Sequence, residues 1–295
     1  MIEKLRKENE NLVLVDAGDM FFKEKNIPEI RADYILRGME KMGYDAVTLG
    51  EGELNMPFEF LFNKLEAIPM GYVSSNVQIF DTNNKPILMP YVIKKFKDLT
   101  VGITGVTPGA MVNQAATTNP RVAVNPPMEY LKQTLSELSS KCDFIILLSH
   151  FGFEGTDNLV RYNEVNQASL VVAGHGRRLT QKPLKIGKTM IVQSSMGGEY
   201  LGVLKLKLDS KGKIQDYTHK NIALTDEVPE DRALLGEMER FRRLDNADQQ
   251  TEDEKREKEA FEKKQKEILQ LSPEAFLKQM KQNQMEDILD GKSSQ

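Results

Sequence analysis

The sequence predicts an α/β domain, because short apolar runs alternate with segments of helical periodicity. Four of these runs, at residues 12–15, 44–49, 144–148 and 170–173, have the length of strands. Each of them leads within a few positions to side chains of the types that bind metals. Residues that follow the strands of an open α/β sheet gather at one edge of it, where such folds bind ligands. We therefore expect a ligand site at that edge.

The remaining pattern orders the other elements along the chain. Helices are predicted at residues 2–10, 28–42, 58–67 and 127–139, two of them with proline in the first turn. Further strands are predicted at residues 72–77, 91–96, 100–104, 191–194 and 201–208. The last strand alternates apolar and polar residues and runs into an Asp-Ser-Lys-Gly turn. Strands mixed with helices in this way are typical of a layered α/β fold.

Composition limits the classes of function. A chain of 295 residues, 40% of them apolar, can hold one sizeable domain and an appendage. The net charge of -4 disfavours a general nucleic-acid binder, which would usually be basic. The single cysteine, Cys142, excludes an internal disulfide framework, and no apolar run is long enough to predict a transmembrane segment. The residues after Met1 lack the pattern of a signal peptide, so the sequence as it stands predicts a cytoplasmic protein.

The chain changes character near residue 225, which predicts a domain at residues 1–225 and a helical tail at residues 226–295. Residues 251–267 are mostly charged, and several Glu lie four positions before a Lys or Arg. Each such pair stabilises a solvated helix by only about 0.2–0.5 kcal/mol. Ser272 and Pro273 predict the start of a second helix with a modest apolar face. Two interpretations stay open: a solvated appendage, or helices that bind a protein partner.

Several short phrases now define a resemblance. They occur at residues 16–19 (DAGD), 42–50 (MGYDAVTLG), 75–77 (SNV), 101–107 (VGITGVT), 148–152 (LSHFG), 174–175 (GH) and 200–202 (YLG). In this order and spacing they resemble the calcineurin-like metallophosphoesterases, and within them the 5′-nucleotidase and UDP-sugar hydrolase branch. The resemblance covers roughly residues 1–225. It implies a two-sheet sandwich flanked by helices, and it does not extend to the tail.

The chain also departs from that family. The family begins with a strand that ends in an Asp-x-His pair, and its counterpart here would precede Met1. This departure predicts a domain without that strand and hence an aggregation-prone product. A start further upstream would also leave room for an export signal and predict an extracytoplasmic or periplasmic protein. The family's second domain, which holds the nucleotide base, has no counterpart in the resemblance.

The resemblance implies a site for one divalent metal. Its ligands would be Asp19, Glu51, His150 and His175, with Glu51 in place of the family's Asn. Two imidazoles and two carboxylates suit Zn²⁺, Mn²⁺ or Fe²⁺, and suit Mg²⁺ less well. A second metal site is lost, because two of its ligands would precede Met1 and Arg177 stands at the third. A guanidinium cannot ligate a metal, although it can contact a phosphate directly.

Each of these residues has a plainer explanation that the sequence leaves open. A histidine after a strand is often simply hydrogen-bonded in the core, and an Asp beside a Gly often forms a turn. Glu51 could simply be the first residue of a helix, and Arg177 could simply be a surface residue. Gly52 stands where the family has a histidine that acts on the reacting phosphoryl group. Loss of such a group typically costs about 10²- to 10⁴-fold in rate.

Two functions follow from these observations. The first is a divergent metal-dependent phosphoesterase that hydrolyses nucleotides or other phosphate esters weakly, with Glu51 and Arg177 as its catalytic residues. Its ligand would be a phosphate-containing small molecule, nucleotides included, and not a nucleic acid. The alternative is a catalytically inactive module that binds a metal or an anion and engages a partner through its helical tail.

Overall fold

A computed structural model describes residues 1–21, 29–68, 70–111, 119–162 and 165–232, together with residues 234–236, 239–241, 243, 246 and 263. The charged segment predicted at residues 251–267 lies almost entirely outside the described residues, and the helix predicted to follow it lies wholly outside them. Within the described part, no helix combines the length and the apolar character that crossing a bilayer requires.

The chain divides into two compact units, Met1–Met238 and Glu239–Gln295. All the strands and helices given below belong to the first unit. The functional division into a domain at residues 1–225 and a separate tail stays a prediction.

A six-stranded mixed sheet forms the centre of the first unit, in the order β4-β5-β7-β8-β10-β9. Its strands are β4 (Tyr91–Lys95), β5 (Thr100–Val106), β7 (Phe144–Ser149), β8 (Leu170–Ala173), β9 (Leu184–Ile186) and β10 (Thr189–Val192). The four inner strands β5, β7, β8 and β10 run parallel, and β4 and β9 pair antiparallel at the two edges. The predicted α/β class is therefore confirmed.

The other six strands form three two-stranded ladders. They are β1 (Val15–Asp16) with β2 (Ala46–Val47), β3 (Val77–Ile79) with β6 (Val122–Val124), and β11 (Tyr200–Leu208) with β12 (Ile214–Ala223). Among the described residues the predicted two-sheet sandwich thus takes the form of one large sheet and three separate ladders.

Six α-helices have defined bounds in the described part of the first unit. They are α1 (Ile2–Glu8), α2 (Glu29–Met42), α3 (Glu51–Leu54), α4 (Phe58–Ala67), α5 (Pro127–Ser139) and α6 (Gly152–Arg161). The predicted helices at residues 58–67 and 127–139 are confirmed at both ends. Helix α6 was not predicted, since Gly152 and Gly155 lower the helical propensity of its segment.

Three predicted strands are much shorter than expected. The apolar runs at residues 12–15 and 44–49 contribute only Val15–Asp16 and Ala46–Val47 to a ladder. In the run at residues 72–77 the backbone changes partner at every step: the N–H of Val73 donates to Val47, that of Ser74 to Met89 and that of Ser75 to Gly105. No continuous ladder forms there because each hydrogen bond goes to a different segment.

The central strand β7 anchors the core. All six of its residues are buried, as expected for a parallel strand that is covered on both faces. Leu147 and Leu148 are fully buried, and burial of each such side chain contributes about 1.5–3 kcal/mol. The chain leaves this strand directly into His150. The core therefore fixes the position from which that side chain extends.

Candidate metal centre

The structure brings together the four side chains that the sequence singled out as ligands. Asp19, Glu51, His150 and His175 each offer one ligand atom, and these atoms all lie within 4.8 Å of one another. Asp19 follows β1, His150 follows β7 and His175 follows β8, so these three extend from the carboxyl ends of strands. Among the described residues this is the one such group of potential ligands.

Asp19 lies in a tight turn after β1. Its φ angle is 64° and that of Gly18 is 91°, so both residues adopt the left-handed region. The Oδ1 atom of Asp19 accepts the backbone N–H of Gly52 at 2.9 Å, and Oδ2 lies 3.2 Å from His150 Nε2. Burial raises the pKa of Asp19, but the hydrogen bond and charge of His150 outweigh it and hold the pKa below its usual range. Asp19 is therefore a carboxylate.

Glu51 is the first residue of α3 and bridges the two histidines. Its Oε2 atom lies 3.2 Å from His150 Nε2 and 3.0 Å from His175 Nδ1. A negative charge in the first turn of a helix is favourable. The same position that suits the helix thus supplies a carboxylate to the centre of the cluster.

His150 is fully buried and its tautomer is set by the backbone. Its Nδ1–H donates to the carbonyl of Ala17 at 2.7 Å, which leaves Nε2 facing Asp19 and Glu51. Burial lowers the pKa of His150, but the hydrogen bond and charge of Asp19 outweigh it and raise the pKa to about 9. Nε2 is therefore the atom through which His150 would bind a metal, and any proton on it would be displaced by the metal.

His175 lies on the more exposed side of the cluster. Its side chain is 36% exposed, yet its Nδ1 atom is buried and faces Glu51. Its φ angle of 53° turns the chain sharply after β8. The two imidazole rings meet edge to face, with centroids 5.3 Å apart.

Two glycines permit this close packing. A Cβ atom on Gly50 would lie 2.3 Å from Asp19 Oδ1 and 2.4 Å from His150 Cε1. A Cβ atom on Gly174 would lie 2.5 Å from the Ala17 carbonyl oxygen. Both distances are far inside van der Waals contact. The ligand side chains can therefore converge only because the residues at positions 50 and 174 have no Cβ atom.

The chemistry of the cluster fits a divalent cation. Asp19 Oδ2 and His175 Nδ1 are buried, and within the described part of the chain neither has a hydrogen-bond partner outside the cluster. Buried polar atoms are nearly always paired, so two buried ligand atoms that face only other ligand atoms of the cluster are atoms that a metal would satisfy. Two carboxylates and two imidazoles match Zn²⁺, Mn²⁺ or Fe²⁺.

Arg177 and Gly52 lie beside the cluster rather than in it. Arg177 follows His175 by two positions and is exposed. Its guanidinium makes no hydrogen bond or ion pair recorded among the residues that the structure describes. Gly52 contributes its backbone N–H to Asp19 and nothing more. The structure thus groups the four predicted ligands and leaves Arg177 outside their contacts.

Two buried polar residues of the site were not assigned a role from the sequence. Glu53 accepts backbone N–H groups from both loops that carry the carboxylate ligands. Asn76 donates to the carbonyl of Thr107, whose hydroxyl in turn donates to the carbonyl of Leu49. The pattern Gly-x-x-Glu at the start of α3, which resembles half of a capping box, is the signal that could have identified Glu53.

Sequence comparison connects the chain with known enzymes, although no protein-family profile matches it. It is 26% identical over 292 residues to a 5′-nucleotidase of Vibrio cholerae, covering 80% of this chain and 51% of that protein. It is 27% identical over 278 residues to the bovine 5′-nucleotidase, covering 83% of this chain and 46% of that protein. The chain thus spans about half the length of these curated relatives.

Solved structures share the fold. A 5′-nucleotidase precursor of Thermus thermophilus superposes with a TM-score of 0.69 at 23% identity, over 83% of this chain and 52% of that one. The calcineurin-like phosphoesterase YfkN of Bacillus subtilis gives a TM-score of 0.67 at 23% identity, over 82% of this chain and 86% of that one. The α/β fold of this chain is therefore similar to that of the metallophosphatase domain of 5′-nucleotidases. In sequence the chain is similar to 5′-nucleotidases at 26–27% identity, in agreement with the resemblance.

Proposed function

We propose that this chain is a divergent metal-dependent phosphoesterase domain that binds one divalent cation and hydrolyses nucleotides or other phosphate esters weakly. The observation that carries the proposal is the convergence of four ligand-type atoms within 4.8 Å, two of them buried and without a hydrogen-bond partner outside the cluster among the described residues. The proposed ligands are Asp19, Glu51, His150 and His175. The architecture behind them is an α/β fold similar to that of a 5′-nucleotidase precursor.

The metal would supply an activated water and a positive charge for the phosphoryl oxygens. The chain's own residues do the rest. His150 is oriented by Ala17 so that Nε2 faces the centre, and Asp19 and Glu51 bring negative charge that favours a cation there. We propose that Arg177, which is exposed and two residues after His175, contacts the anionic substrate.

Weak turnover is proposed for two reasons. Gly52 offers no side chain where the family has a histidine, and position 177 carries a guanidinium where the family has a metal ligand. Both changes remove groups that act on the transition state more than on the bound substrate. The chain can therefore still bind a phosphate or nucleotide even where hydrolysis is weak or lost.

The substrate class rests on the relatives' names. The proteins matched over about half of their length are 5′-nucleotidases, which makes nucleoside monophosphates the first substrates to test. Fold alone is a weaker guide, since a sulfate thiohydrolase of Thermus thermophilus superposes equally well, with a TM-score of 0.69 at 19% identity.

Metal content and hydrolysis test the proposal together. Protein reconstituted with Mn²⁺ or Zn²⁺ should hold about one equivalent, by the four-ligand count. His150→Ala should lose it, whereas His219→Ala, a histidine on β12 outside the cluster, should keep it. Two equivalents, or none in the parent protein, would reject the ligand assignment. Robust hydrolysis of nucleoside monophosphates that His175→Ala eliminates would reject the weak-turnover part.

The inactive binding module remains the second candidate. The observation in its favour is that Arg177 and Gly52 make no side-chain contribution to the cluster among the described residues. It predicts calorimetric binding of a nucleoside monophosphate without hydrolysis, lost in Arg177→Ala. The helical tail that would engage a partner lies almost wholly outside the described residues.

A further inference from the structure

Glu53 is a fully buried carboxylate, and its hydrogen-bond partners among the described residues are all backbone groups. Its Oε2 atom accepts the N–H of Gly50 at 2.8 Å and that of Asp19 at 3.0 Å, and its Oε1 atom accepts the N–H of Phe21 at 3.1 Å. Burial of a charged group is costly unless such bonds compensate. An apolar residue at this position could not accept these three N–H groups.

These three bonds join the two segments that carry the carboxylate ligands. Gly50 precedes Glu51 at the start of α3, while Asp19 and Phe21 belong to the turn after β1. The joint is reciprocal, because the N–H of Gly52 donates back to Asp19 Oδ1 at 2.9 Å. Asp19 and the first turn of α3 are thus held to each other from both sides.

The bond to Asp19 acts on an unusual backbone conformation. Asp19 has a φ angle of 64°, in the left-handed region that residues other than glycine rarely adopt. Such conformations persist only where the surroundings hold them. Glu53 holds the N–H of this residue, and the direction of the Asp19 carboxylate depends on that φ angle.

We infer that Glu53 is a positioning residue for the cluster: its carboxylate clamps the Asp19 turn against the first turn of α3 and so sets the distance between Asp19 and Glu51. It is not one of the four clustered ligands itself. The inference rests on the proposed function only for its consequence, metal affinity. The clamp itself is a property of the chain alone.

The variant Glu53→Gln tests the clamp with little change in volume. An amide has one acceptor oxygen, so at least one of the three N–H bonds is lost and an NH₂ group faces a donor. The matched control is Thr189→Val. Thr189 is also buried and also makes a side-chain to backbone bond, to Ala168 at 2.8 Å, but it lies at the amino end of β10, away from the cluster.

Two measurements on metal-free protein decide the positioning role. In the parent, the Asp19 and Phe21 amides should exchange with deuterium far more slowly than the amide of exposed Asn11. The chain has 3 histidines, so their ring signals are separable by NMR. Glu53→Gln should move those of His150 and His175 and leave His219 in place, and Thr189→Val should move none. Rapid exchange at Asp19, or unmoved His150 and His175 signals in Glu53→Gln, overturns the inference.

Metal titration tests the consequence. Glu53→Gln should raise the Mn²⁺ dissociation constant about ten- to a hundredfold, the usual effect of removing an outer-shell partner. Thr189→Val should bind as the parent does, even with a comparable loss in Tm. Parent affinity in Glu53→Gln would show that the residue is merely structural and overturn the inference. Absence of binding in the parent rejects the ligand assignment instead, and the exchange and NMR results then decide the clamp independently.

Discussion

The two sides of the proposed site are built differently. On one side Asp19, Glu51, His150 and His175 converge, and backbone groups or buried side chains support the first three from behind. Two neighbouring positions, which we call the rim, add no side chain to the cluster: Gly52, which has none, and Arg177, which is exposed. Hydrogen bonds orient Asp19 and His150 on the ligand side, whereas no side chain of the rim contacts the cluster among the described residues.

This difference separates metal binding from catalysis. The support of the ligand side comes from the main chain and from glycines that let it approach, so it depends on the path of the backbone. The contribution of the rim would come from single side chains. Binding should therefore be sensitive to changes that alter the backbone path, and turnover should respond to substitutions that leave the fold untouched.

The largest effect is expected from Gly50→Ala. The new methyl group would lie 2.3 Å from Asp19 Oδ1, so the two ligand-bearing segments must move apart. We expect metal binding to fall below detection and the free energy of unfolding to fall by roughly 1–3 kcal/mol. Calorimetric Mn²⁺ titration beside urea denaturation measures both.

The control for that prediction is Gly38→Ala in α2, where a Cβ atom meets nothing within 4 Å. It should keep metal binding and gain about 0.5–1 kcal/mol in stability, since alanine favours a helix over glycine. Undiminished metal binding in Gly50→Ala would contradict the claim that close backbone approach builds the ligand side.

The next effect concerns the rim. A Cβ atom at position 52 would lie 3.4 Å from Asp19 Oδ1, an ordinary contact, so the backbone there accepts a side chain. Gly52→His should therefore fold and raise phosphomonoesterase turnover roughly tenfold to a hundredfold, part of what a positioned acid supplies. Steady-state hydrolysis of a nucleoside monophosphate measures it. Gly52→Ala should give no gain, and a Gly52→His protein that binds metal without any gain would show that the rim is not limiting.

The smallest effect is expected at Asp33 on α2, which belongs neither to the ligands nor to the rim. Burial raises the pKa of Asp33, but hydrogen bonds from Lys64 and Arg37 outweigh it and hold the pKa below its usual value of about 3.9. The ionised form is thus the one that folding favours, and its stabilisation is present above that usual value and lost as pH falls through the folded pKa. Asp33→Asn should cost roughly 1 kcal/mol at pH 7.

Urea denaturation of parent and Asp33→Asn at about pH 7 and about pH 3 checks the sign, because the difference between them should shrink at the lower pH. Mn²⁺ affinity at neutral pH should be the same in both. A matching loss of affinity in Asp33→Asn would mean that general stability, and not the local support of the ligand side, controls the cluster.

The parts of the fold that could be predicted are those whose pattern is independent of distant partners. The run at residues 170–173 and the segments of α4 and α5 have apolar residues at the spacing of their element, and their bounds were predicted correctly. The run at residues 72–77 was not, because its backbone bonds go to three different segments. Sequence shows which residues are apolar but not which segment each N–H will meet.

The same distinction applies to the site. Asp19, Glu51, His150 and His175 could be found because each follows a strand-like run closely in sequence. The role of Glu53 could not, because two of its three partners lie 34 and 32 residues away and are backbone groups with no side-chain signature. The exposed position of Arg177 depends on a turn with φ angles of 53° and 144° at His175 and Gly176, which sequence does not display either.

One hydrogen bond has an evolutionary consequence. His150 is oriented by the carbonyl oxygen of Ala17, an atom that every amino acid possesses. No point substitution at position 17 can delete that acceptor, so the orientation of the ring is robust to mutational drift. A lineage that relaxed selection on the rim of such a pocket would still inherit a correctly oriented imidazole. Substitutions that displace the backbone, such as Gly50→Ala, are the ones that would disturb this orientation.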